Sequence, residues 1–410
     1  MKRLLAAAAL LFLIGCRKAE PPVFKHVEMS LPTPDYKLAS DNLLDIMHGA
    51  TVVYRTGELS LQSSAQQAFD GDYQTAWGSP PLDPVQSAVV ALRARSRVSK
   101  VGLVATDTPE IPKLVKSVRI ETSLDGVGFL PLTSIEVTSR RDRDPRAAPP
   151  TEAAYIRVTM VRNLGGDNVV EIPQIQLYGE ELSVSGRPEL SGEWKLNGDR
   201  LFLSQKGNLL EGYLLHGAPF FIDGGYDGRS FRFAWSRRNQ YGLGIMTVDP
   251  SGTHISSCEW HLHNVHYSFQ MESWFGEKVS ENKIHGERPD SVAAYIVLTG
   301  AFPLYGLRFD GGGTLDAAGS SAQLERVVGL LKRGGRVRFS AHEMRESSEA
   351  ANHARAQKEL DGLRAALESL HVPMTSLEFA VADKENTIVP IRQPIQRYMY
   401  SRIDLERVGR

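Results

Sequence analysis

Two long stretches of the chain alternate apolar and polar residues in short runs, and the runs are separated by Gly, Pro and Asp. A period of two predicts β-strands with one buried face. In the first stretch, residues 46–180, this succession of short alternating runs predicts a β-sandwich. The second, residues 187–280, includes Phe231-Arg232-Phe233-Ala234-Trp235. It predicts a small antiparallel barrel or sandwich.

The pattern changes to helical spacing in the last part of the chain, residues 293–410. Ala356, Leu360, Leu363 and Leu367 recur at intervals of four, three and four, which predicts one buried helical stripe. The elements expected here are listed in chain order: a strand over 302–309, a helix over 320–332, a strand over 336–340, a helix over 347–370, and strands over 377–381 and 398–405. This succession predicts an α/β module, so the fold class is multidomain.

Composition narrows the function classes. The 410 residues allow about three domains, and 42% hydrophobic with 23% charged residues is typical of a soluble globular protein. The chain has 47 basic and 48 acidic residues, so it carries no net positive charge that would attract a nucleic acid. Two cysteines, Cys16 and Cys258, cannot by themselves form a disulfide framework or a Cys-rich metal site.

The first residues resemble a lipoprotein signal. Lys2 and Arg3 precede an apolar run, residues 4–14, that is too short for a permanent transmembrane helix. The run ends in Leu13-Ile14-Gly15-Cys16, which resembles the bacterial lipobox. The resemblance implies cleavage after residue 15 and lipidation of the Cys16 thiol. An ordinary secretory signal with a chance cysteine is the alternative.

The residues after the cysteine extend this interpretation. Arg17 follows Cys16, and in Gram-negative lipoproteins a residue other than Asp there implies export to the outer membrane. We therefore expect 1–16 to be a signal peptide and 17–45 a proline-containing tether. The mature protein is expected at the outer membrane, lipid-anchored and facing the periplasm, with exposure at the cell surface left open.

The first β-rich segment carries a turn of defined composition, Ala68-Phe69-Asp70-Gly71-Asp72-Tyr73-Gln74-Thr75-Ala76-Trp77. It resembles the signature of discoidin (coagulation-factor type C) domains, which are galactose-binding-like jelly rolls. A hairpin at 120–126 and closing strands at 154–158 and 175–179 follow in the family's order. The resemblance implies a jelly roll over 46–180, with Trp77 in its core.

The same resemblance implies a structural calcium beside the turn. Asp70, Asp72 and the Thr75 hydroxyl are hard oxygen donors of the type calcium prefers. Where many members have a closing acidic ligand, this chain has Gln174. The alternative is that these side chains only brace the turn, so the expected cofactor is none, with calcium left open.

Discoidin-like domains also bind glycans or lipid headgroups through loops at one end of the sandwich. The residue types in this chain that suit such loops are Tyr73, Arg162 and Asn163. The resemblance therefore implies a glycan partner, and a protein partner in the envelope is the other expectation.

The strand and helix order of the last module, read as βαβαββ, resembles the OmpA-like peptidoglycan-binding domain. That family grips the peptide stem with an Asp and an Arg. The matching positions in this chain are Met344 and Glu359, so the resemblance implies the scaffold without its usual grip. Glu343 and Arg355 lie close to these positions in sequence, and a small shift in the match could restore one of them to the grip.

One segment could bind a transition metal. In a strand, His261 and His263 share a face, and His254, Cys258 and His266 lie close in sequence. A metal-dependent hydrolase using residues 254–266 is thus the alternative function, against a strand with a plain polar face.

The sequence as a whole favours a non-enzymatic protein. It has no HExxH helix, nucleophile elbow or phosphate-binding loop. We expect an envelope-anchored adhesion or scaffold lipoprotein that binds a glycan or protein partner, with peptidoglycan binding in doubt and no nucleic acid.

Overall fold

The structure is a computed structural model. It describes residues 26–27, 41–60, 63–71, 75–79, 86–104, 115–136, 145–163, 170–172, 174–183, 187–228, 230–262, 275–281, 291–310, 312–345, 348–382 and 394–408. Among them, no helix has the length and apolar character needed to cross a membrane. The signal-peptide residues, including Cys16, lie outside the described residues.

The first module is a β-sandwich whose main sheet has the strand order β2-β4-β7-β5-β6, with β9 also paired to β4. Its strands are β2 (Thr51–Arg55), β3 (Trp77–Gly78), β4 (Ser87–Val104), β5 (Val115–Ser123), β6 (Leu130–Glu136), β7 (Arg146–Asn163), β8 (Glu171–Ile172) and β9 (Gln174–Ser183). Short 3-10 helices span Ile46–His48 and Ala65–Ala68. The expected sandwich is confirmed.

The sandwich core is built from the inward positions of these strands. Phe69 and Trp77 are fully buried, and the indole N–H of Trp77 donates to the Gly57 carbonyl at 3.0 Å. Burying a tryptophan with its N–H paired removes a large apolar surface from water without leaving an unsatisfied donor. The core position expected for Trp77 is therefore correct.

The sandwich begins earlier than the tether boundary at residue 45 suggests. Leu43 and Leu44 are buried, and the Asn42 side-chain oxygen accepts from the backbone N–H of Leu177 at 2.8 Å. Further back, β1 (His26–Val27) pairs with β10 (Arg187–Pro188). These parts of the expected tether belong to the folded body.

The second module is a closed antiparallel barrel in which each strand pairs with the next and the last pairs with the first. Its strands are β11 (Gly192–Leu196), β12 (Asp199–Lys206), β13 (Leu209–His216), β14 (Ala218–Tyr226), β15 (Ser230–Arg237), β16 (Gln240–Val248), β17 (His254–Leu262) and β18 (Phe275–Ser280). Closure removes free sheet edges. Of the two expected architectures, the barrel is correct.

The barrel interior is filled by side chains. Trp194, Trp235, Phe231 and Phe233 are buried there with aliphatic residues of the other strands. The outward positions of β15 and β16 are buried too, including Ala234 and Leu243. Since both faces of these two strands are covered, that side of the barrel must pack against other elements.

The third module is a four-stranded mixed sheet of order β19-β22-β20-β21, in which only β20 and β21 run parallel. Its strands are β19 (Ala301–Pro303), β20 (Arg336–His342), β21 (Leu377–Val381) and β22 (Arg402–Val408), and its helices are α1 (Ser291–Thr299), α2 (Ser321–Leu331), α3 (Glu349–Ser369) and α4 (Pro394–Tyr400), with a 3-10 turn at Met374–Ser376. The predicted stripe of α3 is buried throughout.

Two expected strands differ from the structure. The strand expected over 302–309 is only the three residues of β19, because the chain turns at Leu304 and folds back through a bridge between Phe309 and Leu315. The strand expected over 398–405 begins as helix α4 and becomes β22 only at Arg402. The last turn of α4 contacts the barrel, because the Tyr398 hydroxyl donates to the Asp227 carboxylate at 2.5 Å.

The three modules pack against each other. Outward barrel residues, with Leu243 as an example, share one continuous apolar cluster with Val90 of the sandwich and Leu360 of the third module. Helix α1 covers β16 of the barrel, where Tyr295 lies edge-on to Tyr241 with 5.8 Å between ring centroids. The three modules are therefore packed together through a shared apolar cluster.

Candidate functional site

The discoidin-type turn is the best-defined polar site of the sandwich. Asp70 is buried, and its carboxylate accepts from the Thr75 hydroxyl at 2.8 Å. Gly71 has a φ of +76°, and a side chain there would press on the Asp45 carboxylate, so the turn requires glycine. The structure thus brings Asp70 and Thr75 together, as expected from their spacing.

The residue that closes this turn is Gln174, at the first position of β9. Its amide nitrogen donates to the other Asp70 oxygen at 2.8 Å and to the Gln67 carbonyl at 2.5 Å. Its amide oxygen accepts from the Gly71 backbone N–H at 3.1 Å. That last bond fixes the orientation of the amide. A flipped amide would place its –NH₂ against the Gly71 N–H and its oxygen against the Asp70 carboxylate.

The described residues of the turn, Asp70, Thr75 and Gln174, do not fit a calcium ion. Calcium needs six to eight oxygen donors around one point, whereas here the Gln174 –NH₂ lies between Asp70 and the Gln67 carbonyl. The Gln174 amide thus donates hydrogen bonds to the Asp70 and Gln67 oxygens that a cation would otherwise contact. In the described part of the chain, no group of three or more His, Cys, Asp or Glu side chains is placed to hold a metal ion.

The other candidate loop residues are placed less completely. Asp72 and Tyr73 lie outside the described residues. Arg162 and Asn163 are the last residues of β7, where the register sets them opposite Ser117 and Val115. Whether the three candidate glycan contacts meet at one surface therefore stays a prediction.

The hairpin between β5 and β6 is a second structured tip. The Asp125 carboxylate accepts from the backbone N–H groups of Val127 and Gly128, each at 2.9 Å. These hydrogen bonds, with one from Ser123, lower the pKa of Asp125 to about 2. The turn holds an exposed apolar tip, where Val127 is 84% and Leu130 72% accessible.

The histidine-bearing strand β17 contains a bulge. Ile245 pairs with Glu259 while the next residue, Met246, pairs with Ser257, so Cys258 has no cross-strand partner. His261 pairs with Leu243, and His263 and His266 lie outside the described residues. The metal site expected at His261 and His263 stays untested there.

His254, at the start of the same strand, has a structural setting. Its ring lies 2.9 Å from the Thr253 hydroxyl and packs against Phe275. Both its backbone N–H and that of Thr253 donate to the buried Asp249 carboxylate at 2.8 Å. Burial would raise the Asp249 pKa, but the hydrogen bonds and charge of His254 and a bond from Ser251 lower it.

Neither of the two positions matched to the OmpA-like grip is exposed. Met344 is partly buried against the apolar core, and Glu359 lies on α3 with a side chain only 2% exposed. Glu359 accepts from Arg345 at 2.7 Å and from Arg355 at 3.2 Å. Glu359 is therefore paired with two cations and does not present a bare negative charge.

The fourth member of this ion cluster is Glu343. It accepts from the Arg345 side chain at 2.8 Å and lies 3.4 Å from Arg355. Burial would raise the Glu343 pKa, but the charges of the two arginines and the hydrogen bonds of Arg345 hold it below its usual value. Two acidic and two basic groups balance, so this cluster contributes to packing rather than offering a charged grip.

Sequence reasoning missed the polar contacts between modules. Arg232 of the barrel donates to the backbone carbonyls of Tyr398 and Ser401 at 3.2 and 2.9 Å, and its guanidinium lies 4.1 Å from the Tyr398 ring. Arg326 of α2 contacts the barrel carboxylates of Asp223 and Glu211. The only signal for them was a charged residue inside an otherwise buried pattern, as at Arg232.

Comparison with known proteins identifies the class of the first module. The model of the F5/8 type C domain family matches residues 53–173, so the sandwich is a discoidin-like domain within a larger chain. No curated protein matches this chain.

Several solved protein domains are similar to about a third of this chain. CBM32-3 of a family 31 glycoside hydrolase from Clostridium perfringens is 20% identical, with 32% of this chain and 92% of that one covered at a TM-score of 0.29. A chitobiase C-terminal domain from Bacteroides fragilis is 20% identical, covering 33% and 96% at 0.30. The family 32 module of C. perfringens NanJ, solved with galactose, is 18% identical, covering 31% and 98% at 0.26.

Proposed function

We propose that the protein is a non-catalytic glycan-binding lipoprotein of the bacterial cell envelope, and that its discoidin-like sandwich is the binding module. The observation that carries the proposal is the F5/8 type C match over residues 53–173, with the signature turn and its buried tryptophan in place. Neither the buried cluster at Glu359 nor the bonded ring of His254 presents a free reactive group.

The lipid anchor is part of the same proposal. Acylation of Cys16 would fasten the chain to the outer membrane, since several acyl chains on one residue give stable anchoring. Peptidoglycan binding by the third module is not part of the proposal, since its buried arginines, Arg345 and Arg355, already pair with Glu343 and Glu359. The OmpA-like resemblance of this module stays a prediction from the order of strands and helices in the sequence.

A glycan array probed with the soluble chain, residues 17–410, tests the binding function. We expect retention of a small set of glycans and a loss of at least tenfold in affinity for Tyr73→Ala, as aromatic stacking is a main source of sugar affinity. Tyr54→Ala is the matched control, because Tyr54 is 51% exposed on β2 and belongs to no candidate loop. Failure to bind any glycan, or equal loss in both variants, contradicts the proposal.

Mass spectrometry of protein from membranes tests the anchor. We expect an N-terminal peptide that starts at Cys16 and carries acyl chains, and a Cys16→Ser variant found in the soluble fraction. An unmodified thiol at Cys16 contradicts it.

A further inference from the structure

The tip of the hairpin between β5 and β6 exposes three aliphatic side chains to solvent. Leu124, Val127 and Leu130 are 53%, 84% and 72% accessible. Exposed aliphatic residues scattered singly are ordinary on a protein surface, whereas these three belong to one turn. We call them the hairpin tip. The proposed glycan loops do not include this apolar surface.

The backbone of the turn is prepared to leave water. The Asp125 carboxylate accepts from the N–H groups of Val127 and Gly128, each at 2.9 Å. The Ser123 hydroxyl accepts from the Gly126 N–H at 3.0 Å. A donor that is already paired loses little when water is removed, whereas an unpaired donor would cost free energy in an apolar environment. The turn therefore meets the backbone requirement for contact with an apolar phase.

The first described strand, β1, lies beside a turn of the barrel. β1 pairs with β10, which contains Pro188. A methyl group on Gly252 would overlap the Pro188 ring, so the turn between β16 and β17 touches β10. Within that turn the Gly252 N–H donates to the Asp249 carbonyl at 3.0 Å. We call residues 249–252 the barrel turn.

The barrel turn in turn lies near the hairpin. Burial raises the pKa of Tyr155 on β7, and the nearby charges of Asp249 and Asp125 raise it further, so Tyr155 lies between the barrel turn and the hairpin. A methyl group on Gly126 would lie 3.4 Å from the Tyr155 ring. β1, the barrel turn and the hairpin tip therefore follow one another along one side of the molecule.

The length of chain before β1 limits how far this side can lie from a lipid on Cys16. β1 starts at His26, ten residues after Cys16. Fully extended, ten residues reach at most about 35 Å. Acyl chains on Cys16 would therefore keep β1 within about 35 Å of the bilayer, and the hairpin tip lies on the same side of the molecule.

The hairpin tip is also at the opposite end of the sheet from two of the candidate glycan contacts. Val115, at the start of β5, pairs with Asn163, and Ser123, at its end, pairs with Tyr155. The eight residue steps from 115 to 123 separate the two ends by about 26 Å. A bilayer at the hairpin tip would thus leave Arg162 and Asn163 at the far end.

We propose that the hairpin tip, Leu124, Val127 and Leu130, rests in the surface of the lipid bilayer that holds the acylated Cys16. This contact depends on the lipid anchor that forms part of the proposed function. Three aliphatic side chains partition weakly by themselves, and the anchor compensates by holding them at a high local concentration. The hairpin tip is then a second membrane contact, which orients the protein so that its glycan loops are directed away from the bilayer.

Fluorescence quenching of tethered chains tests this contact. Residues 17–410 are attached through an N-terminal oligohistidine tag to phosphatidylethanolamine–phosphatidylglycerol vesicles that contain a nickel-chelating lipid, so that acylation of Cys16 is not required. We expect the tryptophan introduced by Val127→Trp to lose about half of its emission when the acyl chains carry bromine, because a tryptophan in the interface lies close to those chains.

Val297→Trp is the matched control. Val297 is 80% exposed on α1 of the third module. The neighbouring Tyr295 packs on Tyr241, which lies at the opposite end of β16 from the barrel turn. We therefore expect bromine to leave the emission of this variant unchanged. Equal quenching of the two variants, or no quenching of Val127→Trp, overturns the proposal.

The flanking side chains test whether the hairpin tip acts as a unit. Leu124→Ser with Leu130→Ser, added to Val127→Trp, should reduce the quenching at least about twofold, since two of the three apolar contacts are lost. Thermal unfolding verifies that each variant is folded. Unchanged quenching in the folded triple variant overturns the proposal. Emission of Val127→Trp that shifts with protein concentration in the absence of vesicles also overturns it, since a second copy of the chain would then cover the hairpin tip.

The tag separates this contact from the anchor. Quenching of tethered Val127→Trp supports the hairpin tip as a membrane contact whatever mass spectrometry finds at Cys16. A bare Cys16 thiol contradicts the anchor alone, and missing quenching contradicts the hairpin tip alone.

Discussion

Arg326, on helix α2 of the third module, donates two hydrogen bonds to the Asp223 carboxylate of barrel strand β14, at 2.8 and 2.7 Å. The Asp223 side chain is only 3% exposed and that of Arg326 16%. Glu211 of β13 contacts the same guanidinium. This paired, buried contact ties the third module to the barrel wall.

Removing the cation should therefore be costly. We expect Arg326→Met to lower the free energy of unfolding by about 3 kcal/mol, because Asp223 would stay buried without its partner. Urea denaturation measures it. Lys206→Met is the control: Lys206 pairs with Glu325 across the same boundary, but both side chains are more than 60% exposed, so the loss should stay below about 0.5 kcal/mol. Equal effects would show that the Arg326 contact is a surface pair.

The same two modules approach each other closely at a glycine. A methyl group on Gly225 of β14 would overlap the Tyr305 carbonyl oxygen. We expect Gly225→Ala to destabilise the protein by about 2 kcal/mol or more through separation of the modules. Gly329→Ala, inside α2 with nothing within 4 Å of the new methyl group, should stabilise it by about 0.5–1 kcal/mol. Thermal melts compare the pair; a neutral Gly225→Ala result would refute close docking.

Glu181 on β9 makes stability depend on pH. It lies 3.1 Å from His48 and 2.9 Å from Arg93. Burial would raise its pKa, but the bonds and charges of His48 and Arg93 lower it to about 2 from 4.5. Because the folded pKa is the lower one, the stabilisation is full above pH 4.5 and is lost as the pH falls toward 2.

Glu181→Gln tests this linkage. We expect a loss on the order of 2 kcal/mol at pH 7 that shrinks steadily below pH 4.5, measured by denaturation at a series of pH values. The neighbouring Glu180→Gln is the control, since Glu180 is 72% exposed and 3.7 Å from its partner Arg97. A loss for Glu181→Gln that is constant from pH 7 to pH 3 would contradict the linkage, because Glu181 would then titrate alike in both states.

The Gln174 amide hydrogen-bonds the Asp70 carboxylate that a calcium ion would need. We expect calcium to leave the melting temperature of the wild type unchanged. Gln174→Glu should be destabilised by about 2 kcal/mol without calcium, since the new carboxylate faces Asp70, and should regain stability when calcium is added. The double variant Gln174→Glu with Asp70→Asn should lose that response. A melting temperature of the wild type that rises with calcium would refute the role of the amide.

Elements with a strong period were predictable from sequence. The spacing of Leu360, Leu363 and Leu367 located α3, and the alternation around Phe231 located a barrel strand, because each pattern follows from one element having a buried face. The end of helix α4, residues 398–400, was expected to be part of a strand, since a seven-residue helix carries too little periodicity. Pro394 at its first position was the signal available.

The polar clusters could not be predicted, because their members come from distant parts of the chain. Arg345 and Glu359 lie on either side of a helix start, and Asn208 meets Gly306 across two modules. Such pairs depend on how the elements dock, which periodicity does not encode. The discoidin turn was predictable because its residues are nearly contiguous, whereas its closure by Gln174 came from the family resemblance.

The central claim is that the sandwich holds a glycan and leaves it chemically unchanged. Calorimetric titration of the soluble chain with the best glycan from the array, followed by mass spectrometry of the recovered sugar, tests both parts at once. The account predicts one glycan bound per chain and full recovery of the intact sugar after prolonged incubation. Absence of binding heat with every array-positive glycan, or recovery of cleaved sugar, would contradict it.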